Sequence, residues 1–399
     1  MNCLLCGSSK SNTAFSLGNQ PLANKYPKDS LELKKERVYE MNIDFCQTCC
    51  SCQINLNISR ATFFKDYYYL SSVNHELVKH FEDLAIELSD KKYVVDIGSN
   101  DGILLRPLKK SNTKCIGVDP SENVGALANS EGLKTIISFF NEKSAREIYD
   151  FGGTPDCIVA SSVFTHLNNH EKFLEDVYDL LAEDGVFIIE VEYLLNIIDQ
   201  LQFERFYFDR PFYFSLISLD ILFKKFDLKI VDVKRVATHG GSLRVYIKKS
   251  SCLTTVSSDV KKILSEEKKL LDMKFIHNRF KEFNKQIDYL KDNLLKFKNK
   301  GLKVVGYGAP ARLATITNFG QIDHNLLDYV IDDSVLKAGC YSPGKHIPIK
   351  SFENSLVEDI DIIILFAYEY FGSIVRKFNT NEVTFFKPIP FDKIDGVEN

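Results

Sequence analysis

The stretch Tyr93-Val94-Val95-Asp96-Ile97-Gly98-Ser99-Asn100-Asp101-Gly102 decides the fold. Its first five residues predict a buried strand. The two glycines predict a tight turn into a helix, because glycine adopts backbone conformations that other residues avoid. Short apolar segments recur at residues 115–119, 156–160 and 186–190, separated by helical patterns. This alternation predicts a Rossmann-like α/β fold, a parallel sheet covered by helices.

The glycine turn also predicts a cofactor site. The pattern D-x-G-x-x-x-G suits the methionine end of S-adenosylmethionine (SAM), because an acidic side chain and loop carbonyls complement its sulfonium charge. An acid at the end of the second strand can accept hydrogen bonds from ribose hydroxyls. A nicotinamide enzyme follows the same logic, but the loop lacks G-x-G-x-x-G, and the competing interpretation is an ordinary glycine-rich turn. The predicted SAM-binding residues are Asp96, Gly98, Ser99, Asn100, Gly102, Asp119 and Ser161.

Six of the ten cysteines lie within the first 52 residues. Cys3-x-x-Cys6 and Cys46-x-x-Cys49 can place four thiolates around one Zn²⁺, and four filled positions make the metal structural. Free structural cysteines or a redox pair are the alternatives. Cys50 complicates the choice of ligands, and we expect Cys52 to be a small packed side chain. The sequence therefore predicts a small zinc-binding N-terminal module.

Length and composition bound the remaining organisation. The chain has 399 residues, which predicts two or three domains, and its net charge of -4 does not suggest nucleic-acid binding. No signal peptide or membrane span is recognised, so we expect a soluble, cytoplasmic protein. Residues 258–300 predict one or two solvated connecting helices, and a second α/β block starts at Lys303-Val304-Val305-Gly306. The predicted domains are a zinc module (1–70), a methyltransferase domain (71–255) and linker helices with a C-terminal Rossmann-like domain (256–399).

Several short motifs, in this order, resemble one family. They are the two CxxC pairs, Pro21-Leu22-Ala23-Asn24, Tyr67-Tyr68-Tyr69-Leu70-Ser71-Ser72, the glycine turn, Val163-Phe164-Thr165-His166-Leu167, His239-Gly240-Gly241-Ser242-Leu243-Arg244, Gly306-Tyr307-Gly308-Ala309-Pro310-Ala311 and Pro343-Gly344-Lys345-His346-Ile347-Pro348-Ile349. The chain resembles the three-domain zinc-containing sugar C-methyltransferases that act on nucleotide-linked keto-deoxysugars.

The resemblance implies a nucleotide-linked sugar bound between the last two domains. By position, the reacting centre would hold His166, Tyr207, His239 and one of Tyr67 or Tyr69. The Gly306–Ala311 loop would open a helix, and its backbone amides would bind the diphosphate, with Gly308, Ala309 and Pro310 among the substrate-binding residues. Arg244 would contact the substrate. The product would be a bacterial surface or secondary-metabolite carbohydrate, and the enzyme a monomer or small homo-oligomer.

One departure from the family pattern bears on the chemistry. The family's Tyr-His-Glu-His reads Tyr207-Phe208-Asp209-Arg210 here. The last histidine is implied to be a general base, a role that a guanidinium cannot take because it stays protonated. Asp209 could orient a histidine or bind a sugar hydroxyl, and Arg210 could hold a phosphate or sugar oxygen.

The sequence therefore favours O-methylation of a sugar hydroxyl, with His166 or His239 as the base. The first alternative is C-methylation through an enolate that uses another base, such as His166 or Tyr207. The second is a non-catalytic binding protein. A dinucleotide oxidoreductase using the loop at Gly306 is disfavoured, because that loop lacks the third glycine.

Overall fold

The computed structural model describes residues 2–54, 58–59, 63, 70–355, 359–378 and 383–394. The elements up to residue 54 are β1 (Ser11–Pro21), α1 (Ser30–Lys35), β2 (Val38–Cys46) and β3 (Cys52–Ile54). Strand β2 pairs antiparallel with both β1 and β3, and Cys46 ends β2 while Cys52 begins β3. Tyr67 and Tyr69 lie outside the described residues.

Residues 70–255 form an α/β unit. Four 3-10 turns accompany its regular elements, at Ser71–Val73, Phe164–His166, Phe203–Arg205 and Thr238–Gly240. The regular elements are α2 (His75–Glu87), β4 (Tyr93–Ile97), α3 (Leu105–Lys110), β5 (Lys114–Asp119), α4 (Glu122–Ser130), β6 (Thr135–Ile137), α5 (Glu142–Gly152), β7 (Cys157–Ser161), α6 (His170–Leu180), β8 (Val186–Glu192), α7 (Leu194–Asp199), β9 (Phe212–Tyr213), α8 (Leu216–Lys224), β10 (Leu228–Val236) and β11 (Ser242–Lys249).

The central sheet has seven strands in the order β10-β11-β8-β7-β4-β5-β6. Strands β4 to β8 run parallel, while β11 is antiparallel to both β8 and β10. The chain leaves β4 towards β5 on one side and later returns to β7 on the other. Ligands bind at such a switch point, at the carboxyl ends of the strands. The predicted α/β fold is confirmed.

A second α/β unit follows two helices. Its elements are α9 (Ser258–Leu270), α10 (Met273–Asn299), β12 (Val304–Tyr307), α11 (Ala311–Phe319), β13 (Val330–Ile331), β14 (Ile349–Lys350), α12 (Phe352–Ser355), β15 (Ile362–Leu365), α13 (Phe371–Val375), β16 (Thr384–Lys387) and β17 (Asp392–Ile394), with a 3-10 turn at Tyr368–Tyr370. The sheet order is β14-β13-β12-β15-β16-β17. All neighbours pair in parallel except β16 and β17, and this sheet has its own switch point between β12 and β15.

The two predicted helices of residues 258–300 are present, but they are not merely solvated connectors. Helix α10 buries one apolar stripe that includes Ile276, Phe283 and Leu290. On α9, the Glu267 carboxylate is fully buried and accepts hydrogen bonds from the amides of Leu216 and Ile217 at the start of α8. Polar residues on the exposed faces of these helices concealed this packing from a prediction based on composition.

One apolar core joins all three parts of the chain. Phe15 of β1 makes ring contacts with Phe203 and Phe206 of the middle unit and with Phe280 of α10, at centroid distances of 4.7–5.1 Å. Strand β9 also pairs with β3, which extends the N-terminal sheet with a strand from the middle unit. Buried aromatic contacts of this kind fix the relative positions of the three parts.

No helix among the described residues is both long enough and apolar enough to cross a membrane.

Candidate active site and zinc centre

Four cysteine sulfur atoms meet at the start of the chain. The Sγ atoms of Cys3, Cys6, Cys46 and Cys49 all lie within 4.8 Å of one another. They are 3.7 Å apart between Cys3 and Cys49 and 3.6 Å apart between Cys6 and Cys46. A tetrahedral zinc ion with Zn–S bonds of about 2.3 Å requires sulfur atoms at similar separations. Burial raises the pKa of Cys6 to about 11, so a cation is needed to keep that thiol ionised at neutral pH.

Cys50 and Cys52 lie outside this cluster. Cys52 is fully buried on β3 opposite Phe45, and the prediction that it is a packed side chain is confirmed. Cys50 has a positive φ of 56° and its amide donates to the carbonyl of Cys46 at 2.8 Å, which closes the second CxxC turn. The four predicted ligands are therefore the ones that the fold brings together.

The glycine turn after β4 forms the wall of a crevice. Gly98 has a φ of 75°, and a Cβ atom at this position would overlap Cγ2 of Val163. The amide of Asn100 donates to the Asp119 carboxylate at 2.9 Å, and the amide of Ser121 donates to its other oxygen at 2.8 Å. Asp119 thus ties the turn to the end of β5. Each carboxylate oxygen can accept a further hydrogen bond, which leaves capacity for a ribose hydroxyl.

Three carboxylates surround this crevice. Asp96 is buried, and burial together with the charges of Asp119 and Glu190 raises its pKa well above the ordinary value. Ser161 donates from its hydroxyl to Glu190 at 2.9 Å. A cationic ligand would relieve this repulsion and favour the ionised Asp96. The sulfonium and ammonium groups of SAM have the charge that the crevice lacks, so the residues fit the predicted cofactor.

Arg244 lies in a buried network beside the crevice rather than at the reacting centre described below. Its Nε is 2.6 Å from Glu190, its Nη1 is 3.2 Å from Glu87 and its Nη2 is 3.1 Å from His80 Nε2. Although burial alone would raise it, the hydrogen bond from His80 and the charge of Arg244 hold the pKa of Glu190 at about 2. The structure therefore does not bring Arg244 to the predicted substrate contact.

The predicted reacting centre forms where His166 meets the segment after the turn Phe203–Arg205. The Nδ1 atom of His166 is 2.5 Å from the carbonyl oxygen of Asp209. A carbonyl only accepts, so Nδ1 carries the proton and Nε2 carries the lone pair of the neutral ring. Burial and the charge of Arg210 lower the pKa of His166, which favours this neutral form.

A buried ion pair adjoins the histidine. Glu192 ends β8 with an exposed fraction of 1%, and its Oε1 is 2.6 Å from Nη1 of Arg210. Although burial would raise it, Arg210 holds the pKa of Glu192 below the ordinary value. His239 is half-buried next to this pair, in a left-handed backbone conformation with φ of 53°. Burial, with Arg210 and Arg205 nearby, lowers the pKa of His239 to about 4.

A tyrosine hydroxyl holds the loop that carries these groups. Tyr213 donates to the carbonyl of Arg205 at 2.8 Å and accepts from the amide of Tyr207 at 2.9 Å. Phe208 is buried and its ring contacts Tyr39 with 5.8 Å between centroids, so it belongs to the core and not to the reacting centre. The Asp209 carboxylate lies 3.5 Å from the side-chain amide of Asn24, which comes from the N-terminal module.

The glycine loop after β12 is held by hydrogen bonds within the protein. The amide of Gly308 donates to the carbonyl of Ile331 at 2.7 Å, and the amide of Ala309 donates to Asp332 at 2.6 Å. Pro310 has no amide proton. Both donors are already paired within the protein, so they do not support the diphosphate contact expected of this loop, which stays a prediction. Tyr26 donates to the Ala309 carbonyl at 2.7 Å, which further closes the loop.

Two arginines between the middle and C-terminal units provide the donors that the loop lacks. Nη2 of Arg205 and Nη2 of Arg312 lie 2.7 Å and 2.5 Å from the same oxygen of Glu369. Both arginines are buried, and among the described residues Nε of Arg205 and both Nε and Nη1 of Arg312 have no hydrogen-bond partner. Gly240 packs against the Arg205 guanidinium, so this cluster adjoins His239. Guanidinium nitrogen atoms that lack a partner can donate hydrogen bonds to an anion.

Sequence reasoning did not identify Glu190 and Glu192 or the arginine cluster with Glu369. The two glutamates had a detectable signal, since they end a predicted buried strand at the edge where ligands bind. The arginines had none, because Arg205 and Glu369 are 164 positions apart. Tyr368 stacks on Arg312, with 4.4 Å from the guanidinium carbon to the ring centre.

Three family models match successive parts of the chain. They are a zinc binding domain over residues 3–64, a methyltransferase domain over residues 69–233 and a C-methyltransferase C-terminal domain over residues 237–390. With the sheet order, the glycine crevice and the cysteine cluster, these matches define a SAM-dependent methyltransferase with a structural zinc module. The order of the three matches is the domain arrangement of the three-domain, zinc-containing methyltransferases that the chain resembles.

Individual proteins are similar to the chain over different shares of its length. The chain is 28% identical to the C-methyltransferase NovU of Streptomyces niveus over 410 residues, which cover 100% of this chain and 97% of the relative. It is 25% identical to the mitochondrial ubiquinone biosynthesis O-methyltransferase of Rattus norvegicus over 36% of this chain and 43% of that protein. A solved magnesium protoporphyrin IX methyltransferase of Synechocystis PCC 6803 with bound SAH aligns over 46% of this chain and 90% of its own, with 15% identity and a TM-score of 0.35.

Proposed function

We propose that the enzyme transfers a methyl group from SAM to a ring carbon beside the ketone of a nucleotide-linked sugar. The similarity to a C-methyltransferase extends over the whole chain, including the C-terminal third, whereas the O-methyltransferase relative matches only about a third of it. The comparisons give no support to the O-methylation that the sequence favoured. Carbon methylation with His166 as the base, which the sequence left as the alternative, is the better supported function.

The full-length similarity to a C-methyltransferase carries this proposal, and the hydrogen bond from His166 Nδ1 to Asp209 supports the presence of a base. This hydrogen bond puts the imidazole lone pair on Nε2, and a neutral imidazole is the state in which histidine acts as a general base. Removal of a proton beside a ketone is the step that carbon methylation requires before the carbon can attack. A base is thus present even though position 210 holds an arginine.

The arginine cluster supports a nucleotide-linked substrate. Two buried guanidinium groups share one carboxylate, and three of their nitrogen atoms have no partner among the residues described. A diphosphate would satisfy these donors through charge-assisted hydrogen bonds. Gly240 packs against the Arg205 guanidinium and directly follows His239 in the chain. The diphosphate and the reacting carbon would therefore bind close to each other.

The residues of the crevice would hold SAM with Asp96 and Glu190 near its positive charges and Asp119 near its ribose. When bound, the cofactor supplies an electrophilic methyl group. The protein's own part is to accept the carbon-bound proton on His166 Nε2, to fix the sugar through Tyr207 and His239, and to hold the diphosphate on Arg205 and Arg312. Tyr67 and Tyr69 stay predictions, since the structure does not describe them.

Methylation of a hydroxyl is the competing function. The observation that favours it is Arg210, which occupies the position of the family's implied base. A hydroxyl oxygen needs only one base and alignment with the methyl group, so His166 alone would suffice for this reaction. The two functions differ in the atom that receives the methyl group.

The test uses SAM labelled with ¹³C at the methyl carbon. The zinc-loaded enzyme is incubated with uniformly ¹³C-labelled dTDP-, GDP- and CDP-linked 4-keto-6-deoxyhexoses. We expect a product whose methyl signal shows one-bond carbon–carbon coupling to the ring. A methyl signal at the chemical shift of a methyl ether, without that coupling, would establish the competing function.

A further inference from the structure

The buried pair of Glu192 and Arg210 has unused hydrogen-bonding capacity. Oε1 of Glu192 lies 2.6 Å from Nη1 of Arg210, which makes the two side chains an ion pair. Within the described parts of the chain, the two carboxylate oxygens of Glu192 and Nε of Arg210 nevertheless have no partner in a hydrogen bond of good geometry. Burying an incompletely satisfied ion pair costs free energy, and apolar side chains of similar size would often be at least as stable. Stability therefore does not explain this pair.

The surroundings of the pair belong to the reacting centre. His166 and His239 both interact electrostatically with Glu192 and with Arg210. The ring centre of Tyr207 lies 5.6 Å from the guanidinium carbon of Arg210. Arg205 contributes a further positive charge near His239. Arg210 is half-buried and keeps some solvent access, while Glu192 has an exposed fraction of only 1%.

Removal of a proton beside a ketone sends negative charge to the ketone oxygen. A fixed cation at that oxygen stabilises the charge without having to reorganise. Arginine cannot be the base, but it is permanently charged and its planar group offers several donors. The geometry thus gives position 210 a chemical use different from that of a histidine base.

We propose that Arg210 binds the ketone oxygen of the substrate and stabilises the enolate, and that Glu192 is a positioning residue that holds the guanidinium in place. This inference rests on the proposed function. In the proton-transfer step His166 Nε2 takes the ring-carbon proton, the C–H electron pair becomes the enolate double bond, and the carbonyl pair moves to the oxygen that faces Arg210. The enolate carbon then receives the methyl group, the ketone re-forms, and the donor sulfur keeps the electrons of the broken bond.

The test follows the proton-transfer step alone. The enzyme is incubated in D₂O with S-adenosylhomocysteine and the keto-sugar that serves as its substrate, and deuterium entering the ring carbon is measured by NMR. We expect Arg210→Gln to slow this exchange by about 10²–10³-fold, with the affinity for S-adenosylhomocysteine unchanged. Arg210→Lys keeps the charge but not the planar geometry, and we expect an intermediate loss. Arg235→Gln removes an exposed arginine from its 2.7 Å pair with Glu266 and should leave exchange unchanged.

The pH profile separates a positioning role from a structural one. Arg210 lowers the pKa of His166 and Glu192 raises it. The acidic limb of the exchange rate should therefore move to higher pH in Arg210→Gln and to lower pH in Glu192→Gln. If the acidic limb moved in the same direction in both variants, or did not move in Glu192→Gln, Glu192 would have only a structural role and the proposal would be contradicted.

Two further outcomes are distinguishable. Wild-type exchange with near-normal exchange in Arg210→Gln would overturn the role of Arg210 while leaving carbon methylation intact. No exchange in the wild type, together with a methyl ether product, would overturn carbon methylation itself and this proposal with it.

Discussion

His166 donates a hydrogen bond to a backbone carbonyl 43 positions further along the chain, and this contact determines which ring nitrogen can accept a proton. The bond fixes the tautomer, while burial and Arg210 lower the pKa of the ring. Phe208, which precedes Asp209, packs in the aromatic core and not at the reacting centre. Of the three changes from the family's motif, Phe208 is used for packing, the Asp209 carboxylate contacts Asn24, and Arg210 is paired with Glu192.

Replacement of His166 by alanine should lower turnover by about 10²-fold or more, because a positioned base contributes that much to proton transfer. In the wild type the base stays unprotonated to a pH below its ordinary pKa of 6.5, since the folded protein lowers that pKa. The midpoint of the acidic limb of turnover should therefore lie below pH 6.5.

Turnover against pH for wild type, His166→Ala and His277→Ala measures this. His277 is exposed on α10, away from the cleft, so its replacement is the control. A near-normal rate in His166→Ala would remove His166 from the mechanism.

At the scale of elements, the turn between β4 and α3 illustrates how glycine shapes a ligand crevice. Gly98 adopts a φ of 75° and also leaves room that the side chain of Val163 fills. Gly301 after α10 has the same φ of 75° but no atom within 4 Å of where its Cβ would be. Gly98 and Gly301 both require a positive φ, but only at Gly98 is the space that a Cβ atom would need already filled.

This difference gives a matched pair of variants. Gly301→Ala should lower the free energy of unfolding by about 1–2 kcal/mol, the cost of a left-handed backbone at a residue with a Cβ, and leave cofactor binding unchanged. Gly98→Ala carries the same strain and also displaces the turn from Val163. We expect its affinity for S-adenosylhomocysteine, measured by calorimetry, to fall at least tenfold. Equal affinities in the two variants would show that the turn does not form the crevice.

At the scale of the whole molecule, the cleft is assembled from all three parts of the chain. Asn24 and Tyr26 of the N-terminal module contact Asp209 and Ala309 in the two following units. Glu369 then joins the middle unit to the C-terminal unit through the two arginines. The zinc module thus packs against both catalytic and substrate-side elements, and its folding bears on the geometry of the cleft.

The substrate-side prediction belongs to this scale. Arg312→Gln should raise the KM for the nucleotide-linked sugar by about 10–100-fold, since a hydrogen bond to a charged group contributes roughly 1.5–3 kcal/mol. The KM for SAM should stay within twofold of the wild-type value, because the residues predicted to bind SAM all lie in the middle unit. Steady-state kinetics with each substrate varied in turn measures both constants. A rise in both constants would indicate a general loss of domain packing instead of a lost anion contact.

The features of the fold and site that could be predicted from the sequence are those encoded by residues close together in the chain. The glycine turn, Asp119 and the CxxC pairs were predictable, because each is a short pattern whose spacing follows from backbone or metal geometry. The arginine cluster was not, since Arg205, Arg312 and Glu369 meet only through the packing of two units. The loop at Gly308 has the pattern of a diphosphate-binding turn, but the sequence could not show that the amides of Gly308 and Ala309 have partners within the protein. The domain boundaries at residues 70 and 255 stay predictions.

A crystal structure with S-adenosylhomocysteine and the nucleotide-linked keto-sugar would test the central claim most directly. The account predicts the sulfur at the turn after β4, the diphosphate on Arg205 and Arg312, and the ring carbon within about 3–3.5 Å of His166 Nε2. It also predicts the ketone oxygen at Arg210. A sugar ring whose hydroxyl, rather than a carbon beside the ketone, points at the sulfur, or a diphosphate bound away from the two arginines, would contradict it.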